Sequence, residues 1–176
     1  MEKKEITVLG IDPGSQCLGW GLVREISGVM SLLDCGTIRP KGPDFSARLA
    51  GLFTSVSEVV RKCAPDEAAV ELVFVQKNAM SALKLGQARG VAVAACAAHG
   101  VPVFDYEPTL VKKNLVGTGQ AEKGQVSFMV GRLLGKKPDW PLDAGDALAL
   151  AICRLNMRRF EALAQKSSGA WKLPAS

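Results

Sequence analysis

A chain of 176 residues with 48% hydrophobic content can bury one core, and it is too short for two full lobes. Its net charge of +5 and pI near 9.0 permit a phosphate-bearing partner but fall short of a histone-like polycation. No apolar run reaches the roughly 20 residues of a membrane span, and Met1-Glu2-Lys3-Lys4-Glu5 leads into a strand rather than a signal peptide.

Ile6 to Asp12 reads as a strand ending in Gly10-Ile11-Asp12-Pro13-Gly14-Ser15, with Ile6, Val8 and Gly10 on the face of Asp12. Leu18 to Arg24 and Val29 to Ile38 follow as strands at hairpin-like spacing. Leu49, Leu52, Phe53, Val56, Val59, Val60 and Cys63 recur at helical spacing, and Ala64-Pro65 ends that helix. Glu67 to Phe74 is apolar on both faces, the mark of a central parallel strand. Asn78 to Ala98 is a helix rich in Ala, Gly and Val, suited to close packing on more than one side.

Val101 to Tyr106 is a fifth strand, and Pro108 opens a short helix broken at Gly117-Thr118-Gly119. Val126, Met129, Val130, Leu133 and Leu134 mark another helix, and Leu142 to about Phe160 the last. The expected whole is an α/β fold over residues 1–160, with a flexible tail over 161–176. Its mixed sheet has five strands, the first three antiparallel, with helices on both faces.

Five cysteines without a C-x-x-C pair are expected to be reduced thiols in the cytoplasm, with no zinc. His99, before Gly100, suits a helix end.

Three acidic sites break this apolar pattern: Asp12, Glu71 and the pair Asp143 and Asp146. Burying one carboxylate costs several kcal/mol unless it is compensated, so three such sites ask for a common cause. A divalent cation held by hard oxygen ligands supplies one. Asp143 and Asp146, at i and i+3, share a helix face near a helix N-terminus. Asp12 and Glu71 would lie on adjacent parallel strands, about 4.8 Å apart. Alone, Asp143 could be an N-cap and Asp12-Pro13-Gly14 a turn; Glu71 in Val70-Glu71-Leu72 has no such reading.

With these acids in place the sequence resembles the RuvC family of Holliday-junction resolvases, of the ribonuclease H-like superfamily, from Ile6 to Asn156. The resemblance is carried by the segment from Lys77-Asn78-Ala79-Met80 to Gln87-Ala88-Arg89-Gly90, by Gly10-Ile11-Asp12-Pro13-Gly14, by Ala121-Glu122-Lys123 and by Asp143-Ala144-Gly145-Asp146. It implies a Mg2+-dependent endonuclease that resolves four-way DNA junctions in recombination and repair, with Asp12, Glu71, Asp143 and Asp146 as metal ligands. One or two ions per subunit are implied, with Mn2+ as a substitute.

Lys112 and Lys123 match basic residues near the scissile phosphate, and Phe74 matches an aromatic that stacks on bases. Lys77, Asn78, Lys84, Arg89 and Lys113 are the further DNA-contacting candidates. The Asn78 to Ala98 helix matches the family's homodimer interface, and the RuvA–RuvB branch-migration complex is an implied partner. Leu72 and Gln120 depart from the pattern, standing where Gln and a Ser-type helix cap are usual.

Without the resemblance, a lone Lys on a helix is ordinarily a solvated face, and a Phe after an apolar strand is ordinarily core. A related nuclease acting on structured RNA is the nearest alternative function. An actin-like ATPase or sugar kinase would need two lobes. A binding module without catalysis would not need four acids, and Gly117-x-Gly119 lacks the rest of a dinucleotide loop.

Overall fold

The computed structural model describes residues 5–73 and 78–169. Strands β1 (Glu5–Asp12), β2 (Leu18–Ile26) and β3 (Val29–Ile38) precede α1 (Phe45–Cys63), β4 (Glu67–Glu71) and α2 (Ala79–Ala98). Then come β5 (Val103–Tyr106), α3 (Pro108–Val116), α4 (Lys123–Leu134) and α5 (Leu142–Gly169). The sheet order is β3-β2-β1-β4-β5. β1, β2 and β3 pair antiparallel, while β1 with β4 and β4 with β5 pair parallel, the mixed sheet expected of a ribonuclease H-like chain.

Local chemistry explains the joints. Ser27 and Gly28 link β2 to β3 with φ of 52° and 90°, the two positive angles that a tight turn needs to match strand twist. Asp44 caps α1 by accepting the Ala47 N–H at 2.8 Å. Pro65 prevents that helix from continuing beyond Ala64, which is left-handed at φ 42°.

Side-chain alternation divides the core between the two faces of the sheet. Ile6 and Val8 of β1 and Ala69 of β4 pack with α3, α4 and α5. Leu9, Ile11, Ala68 and Val70 pack with α1 and α2. The helices therefore do cover both faces. In α2, Ala88, Ala92, Ala95 and Cys96 form the buried stripe, while Met80 and Leu83 are more than half exposed.

Where the strands carry glycine, α5 also lies directly against strand backbone. An added Cβ at Gly10 would stand 1.8 Å from the Ala147 carbonyl oxygen, and one at Gly19 would stand 1.9 Å from that of Asp143. These absent side chains let α5 sink onto β1 and β2. Toward its other end, buried Arg154 donates from Nε to Glu67 Oε2 at 2.7 Å and lies 3.5 Å from the Phe104 ring centroid. Arg158 donates to the same Glu67 at 2.5 Å.

Several boundaries differ from expectation. β4 stops at Glu71, and β5 begins at Val103 because Pro102 has no N–H for the ladder. α5 runs to Gly169 instead of ending near Phe160, so residue 160 is not the end of a structural element. Glu161-Ala162-Leu163-Ala164 are good helix formers even though the apolar periodicity has faded.

Candidate active site

The parallel register sets Ile11 beside Val70, so Asp12 and Glu71 are the next step along β1 and β4. Both close the carboxyl ends of parallel strands, where open α/β sheets commonly place their ligands. Alternation turns both toward the α5 face, where the helix presents Asp143 and Asp146 in its opening turns. A cleft of about 250 Å³ results, lined by Asp12, Glu71, Lys112, Lys123 and Asp146 with Pro108 and Val111 as wall.

The electrostatics show what this gathering costs. Burial, then the charges of Glu71, Asp146 and Asp143, push Asp12 up to about 8, with Lys123 pulling the other way. Burial and then Asp146 raise Glu71, while a hydrogen bond from the Asp12 carboxyl partly offsets the rise. Lys123 donates to Asp146 Oδ2 at 3.1 Å, and that bond raises the ammonium above its usual range. Asp143 does not line this cleft and is hydrogen-bonded with the Cys17 thiol, whose raised pKa comes first from burial and then from Asp143.

A hard divalent cation fits this all-oxygen donor set chemically, since its charge would offset both the burial and the mutual repulsion that raise Asp12. As they stand, the side chains form pairs rather than a closed cage: among the described residues, no three His, Cys, Asp or Glu converge closely enough to enclose an ion.

The other candidates divide. Lys112 lines the cleft and lowers Glu71 by its charge. Lys113, on the same helix, is exposed and does not line it. Lys84 is on the other side of the sheet, 5.8 Å from the Phe45 ring centroid. Asn78 is occupied as the cap of α2, accepting the Met80 and Ser81 N–H groups at 3.0 and 3.2 Å. Arg89 donates to the Glu71 carbonyl at 3.0 Å and pairs with Asp105, so it ties down the strand end that carries Glu71. Phe74 and Lys77 lie outside the described residues.

The cap of α4 is Glu122 rather than Gln120, with Gln125 Oε1 accepting the Glu122 N–H at 2.9 Å. Glu122-x-x-Gln125 was the available signal, and it fixes Lys123 at the first helical position. Cys17 is a site neighbour with no comparable signal, because only the fold brings it to Asp143.

Comparison with known proteins agrees with this geometry. The family model for crossover junction endodeoxyribonuclease RuvC matches residues 8–154. The protein of that name from Nitratidesulfovibrio vulgaris strain Hildenborough is 67% identical over 159 residues, covering 90% of this chain and 96% of the relative. The Oleidesulfovibrio alaskensis protein is 63% identical over 93% of this chain and 99% of its own length. Among solved structures, T. thermophilus RuvC in complex with Holliday junction substrate superposes with a TM-score of 0.82 at 34% identity, covering 89% of this chain and 96% of that one. Together with the carboxylates at the strand ends, these matches establish that the chain belongs to the RuvC family of crossover junction endodeoxyribonucleases.

Proposed function

We propose that this endodeoxyribonuclease resolves four-way DNA junctions by paired, symmetric nicks, using Mg2+ held by Asp12, Glu71, Asp143 and Asp146. The observation that carries the assignment is the placement of Asp12, Glu71, Asp146 and Lys123 around one cleft with Asp143 close by, where burial and then the neighbouring acids push Asp12 up to about 8. One or two ions per subunit suit four carboxylates, and Mn2+, with similar oxygen preference, would substitute. Bound Mg2+ supplies a polarised water and charge stabilisation at the scissile phosphate.

The protein's own groups do the rest. Glu71 is fixed by Arg89 through its carbonyl, and Asp143 and Asp146 are placed by the seating of α5 on Gly10 and Gly19. Lys123 and Lys112 set positive charge where a non-bridging phosphate oxygen would gain negative charge. Lys113 and Lys84 are left as peripheral phosphate contacts. Phe74, three residues after Glu71 in the sequence, is assigned to stacking on an opened base, and Lys77 to a backbone phosphate contact.

Two opposed nicks need two related sites, and α2 supports a homodimer. Beside it runs an apolar groove of about 590 Å³ lined by Leu72, Ala79, Ala82, Leu83 and Gly86. An isologous pairing would use this patch twice. The RuvA–RuvB complex is the expected partner by family membership, and the cytoplasm the expected compartment. No described helix is long and apolar enough to cross a membrane.

The deciding experiment maps nicks on a four-way junction with and without Mg2+. Symmetric paired nicks that need the metal are expected, with structured RNA left uncut. Metal-independent cleavage, or single unpaired nicks from a sedimenting monomer, would overturn the proposal.

A further inference from the structure

The cleft that holds the carboxylates does not stop at Asp146. Lys123 and Asp146 also line a second hollow of about 120 Å³, bounded by Ser127, Pro138, Trp140 and Gly145. Pro138 is shared in turn with a third depression of about 490 Å³, edged by Phe128, Arg132, Lys136 and Lys137. Through these shared residues the three hollows neighbour one another, a broken groove that leaves the acids and follows α4 to its end.

The far part of the groove is built rather than accidental. Gly135 turns the chain at φ 63°, and the Lys136 N–H donates back to the Gly131 carbonyl at 2.9 Å. Gly131 has to be a glycine for the loop to fold against α4, because an added Cβ would meet the Lys136 carbonyl oxygen at 2.7 Å and Pro138 Cγ at 2.9 Å. Nearer the acids, Trp140 Nε1 would stand 2.9 Å from a Cβ on Gly145, so the indole is seated closely on α5.

The groove's chemistry is cationic with an apolar edge. Arg132, Lys136 and Lys137 are exposed, and none is paired with a carboxylate among the described residues. Asp139, the acid of this loop, is near enough to Cys35 of β3 to help raise that thiol. Phe128, 65% exposed, offers a flat apolar surface on the rim. From Lys123 to Arg132 the helix spans ~14 Å, the axial length of about four phosphates on one strand of a duplex.

We propose that this groove holds the backbone of the junction arm on one side of the scissile phosphate, with Arg132, Lys136 and Lys137 as its phosphate contacts. The proposal rests on the junction-cleaving reading and extends it to residues that the acids and their neighbours do not include. Phosphate contacts position DNA without reading sequence, so the groove fixes how far an arm extends from the metal ligands and leaves base choice to the opened centre. An acidic protein would also suit the charge. Adjacency to the cleft, where the scissile backbone must lie, favours DNA.

The test measures junction affinity against salt for the full chain in EDTA, so that no cleavage intervenes. Arg132→Ala/Lys136→Ala/Lys137→Ala should reduce the slope of log affinity against log salt by about 2 to 3, and affinity at 0.1 M salt by roughly 100-fold. Arg61→Ala/Lys62→Ala, on α1 across the sheet, should leave the slope as in wild type, and circular dichroism checks that each variant is folded. Lys136→Gln/Lys137→Gln is a milder second variant, expected to lower the slope by about 2. An unaltered slope in both groove variants overturns the proposal, even if binding to an acidic protein is lost. An equal fall in the α1 control overturns it too. Failure of wild type to prefer a four-way junction over linear duplex would instead strike at the junction reading itself.

Discussion

Gly19→Ala isolates the seating of α5 from every other property of the site. The new Cβ would stand 1.9 Å from the Asp143 carbonyl oxygen, 2.3 Å from its carbonyl carbon and 2.9 Å from its own Cβ. Close Cβ contacts in proteins begin near 3.0 to 3.4 Å, so the opening turn of α5 must retreat by about 1 to 1.5 Å. Alanine otherwise suits an extended position, and replacing Gly there should gain a few tenths of a kcal/mol. Any loss is therefore owed to the collision. Overpacking of this kind costs about 1–3 kcal/mol, a fall in Tm of about 2–4 °C per kcal/mol in a chain of this size.

The larger effect is on chemistry, because a ligand misplaced by about 1 Å can lower the rate by roughly 10²-fold. Single-turnover cleavage of a four-way junction at saturating enzyme is the assay, with affinity and Tm measured alongside. A roughly hundredfold slower nick with junction affinity retained is expected. Gly51→Ala on α1, where the nearest foreign atom is 3.6 Å away, serves as control and should cleave normally. If Gly19→Ala cleaves within threefold of wild type, the seating argument is wrong.

Asp12→Asn should abolish cleavage while junction affinity holds or rises, since one negative charge facing phosphate is gone; near-normal nicking would sink the mechanism. Glu71→Gln, Asp143→Asn and Asp146→Asn should follow it in nick mapping, with Asp146 the mildest because its charge is already paired with Lys123. Metal-free protein should lose stability as pH rises. Asp12 titrates near 8 when folded and at 3.8 when unfolded, so its protonated form stabilises the fold at low pH, and that contribution disappears as pH climbs from about 4 through 8. Tm measured in EDTA at pH 5 and 8.5 should show the drop, and Asp12→Asn should flatten it; an equal drop in the variant would refute the assignment. Glu67→Ala should cost about 3 kcal/mol, the lower end for a broken buried pair, because Arg154 keeps Glu161 at 2.8 Å. Urea unfolding that shows less than about 1 kcal/mol lost would contradict that.

The acids were legible because a carboxylate within an apolar strand is an anomaly that sequence displays directly. The sequence set Asp12 and Glu71 on adjacent parallel strands, and the register, which pairs Ile11 with Val70, brings the two acids to neighbouring strand ends. Polar residues within the most specific segment were harder to read. Asn78 and Arg89 have the chemistry of DNA contacts, yet one caps α2 and the other ties β4 to β5. Whether a long cation reaches outward or turns back is settled by neighbours from distant parts of the chain. The same holds for Gly10 and Gly19, which in isolation read as weak points in a strand and acquire their role only once α5 lies on them.

β4 carries a glutamate at each end of the face that α5 crosses. Glu67 meets Arg154 and Arg158, while Glu71 meets Asp146. The seam between helix and strand is thus latched at one end and self-repelling at the other, like a zipper with a single working stop. Breathing should begin at Leu142 and travel toward Arg154, so amide protons at the start of α5 should exchange sooner than those near the latch. Cations arriving at the acids would then do more than prepare a reaction: by favouring the closed seam they would draw the slack end tight, and the enzyme would be most rigid when it is loaded to cut.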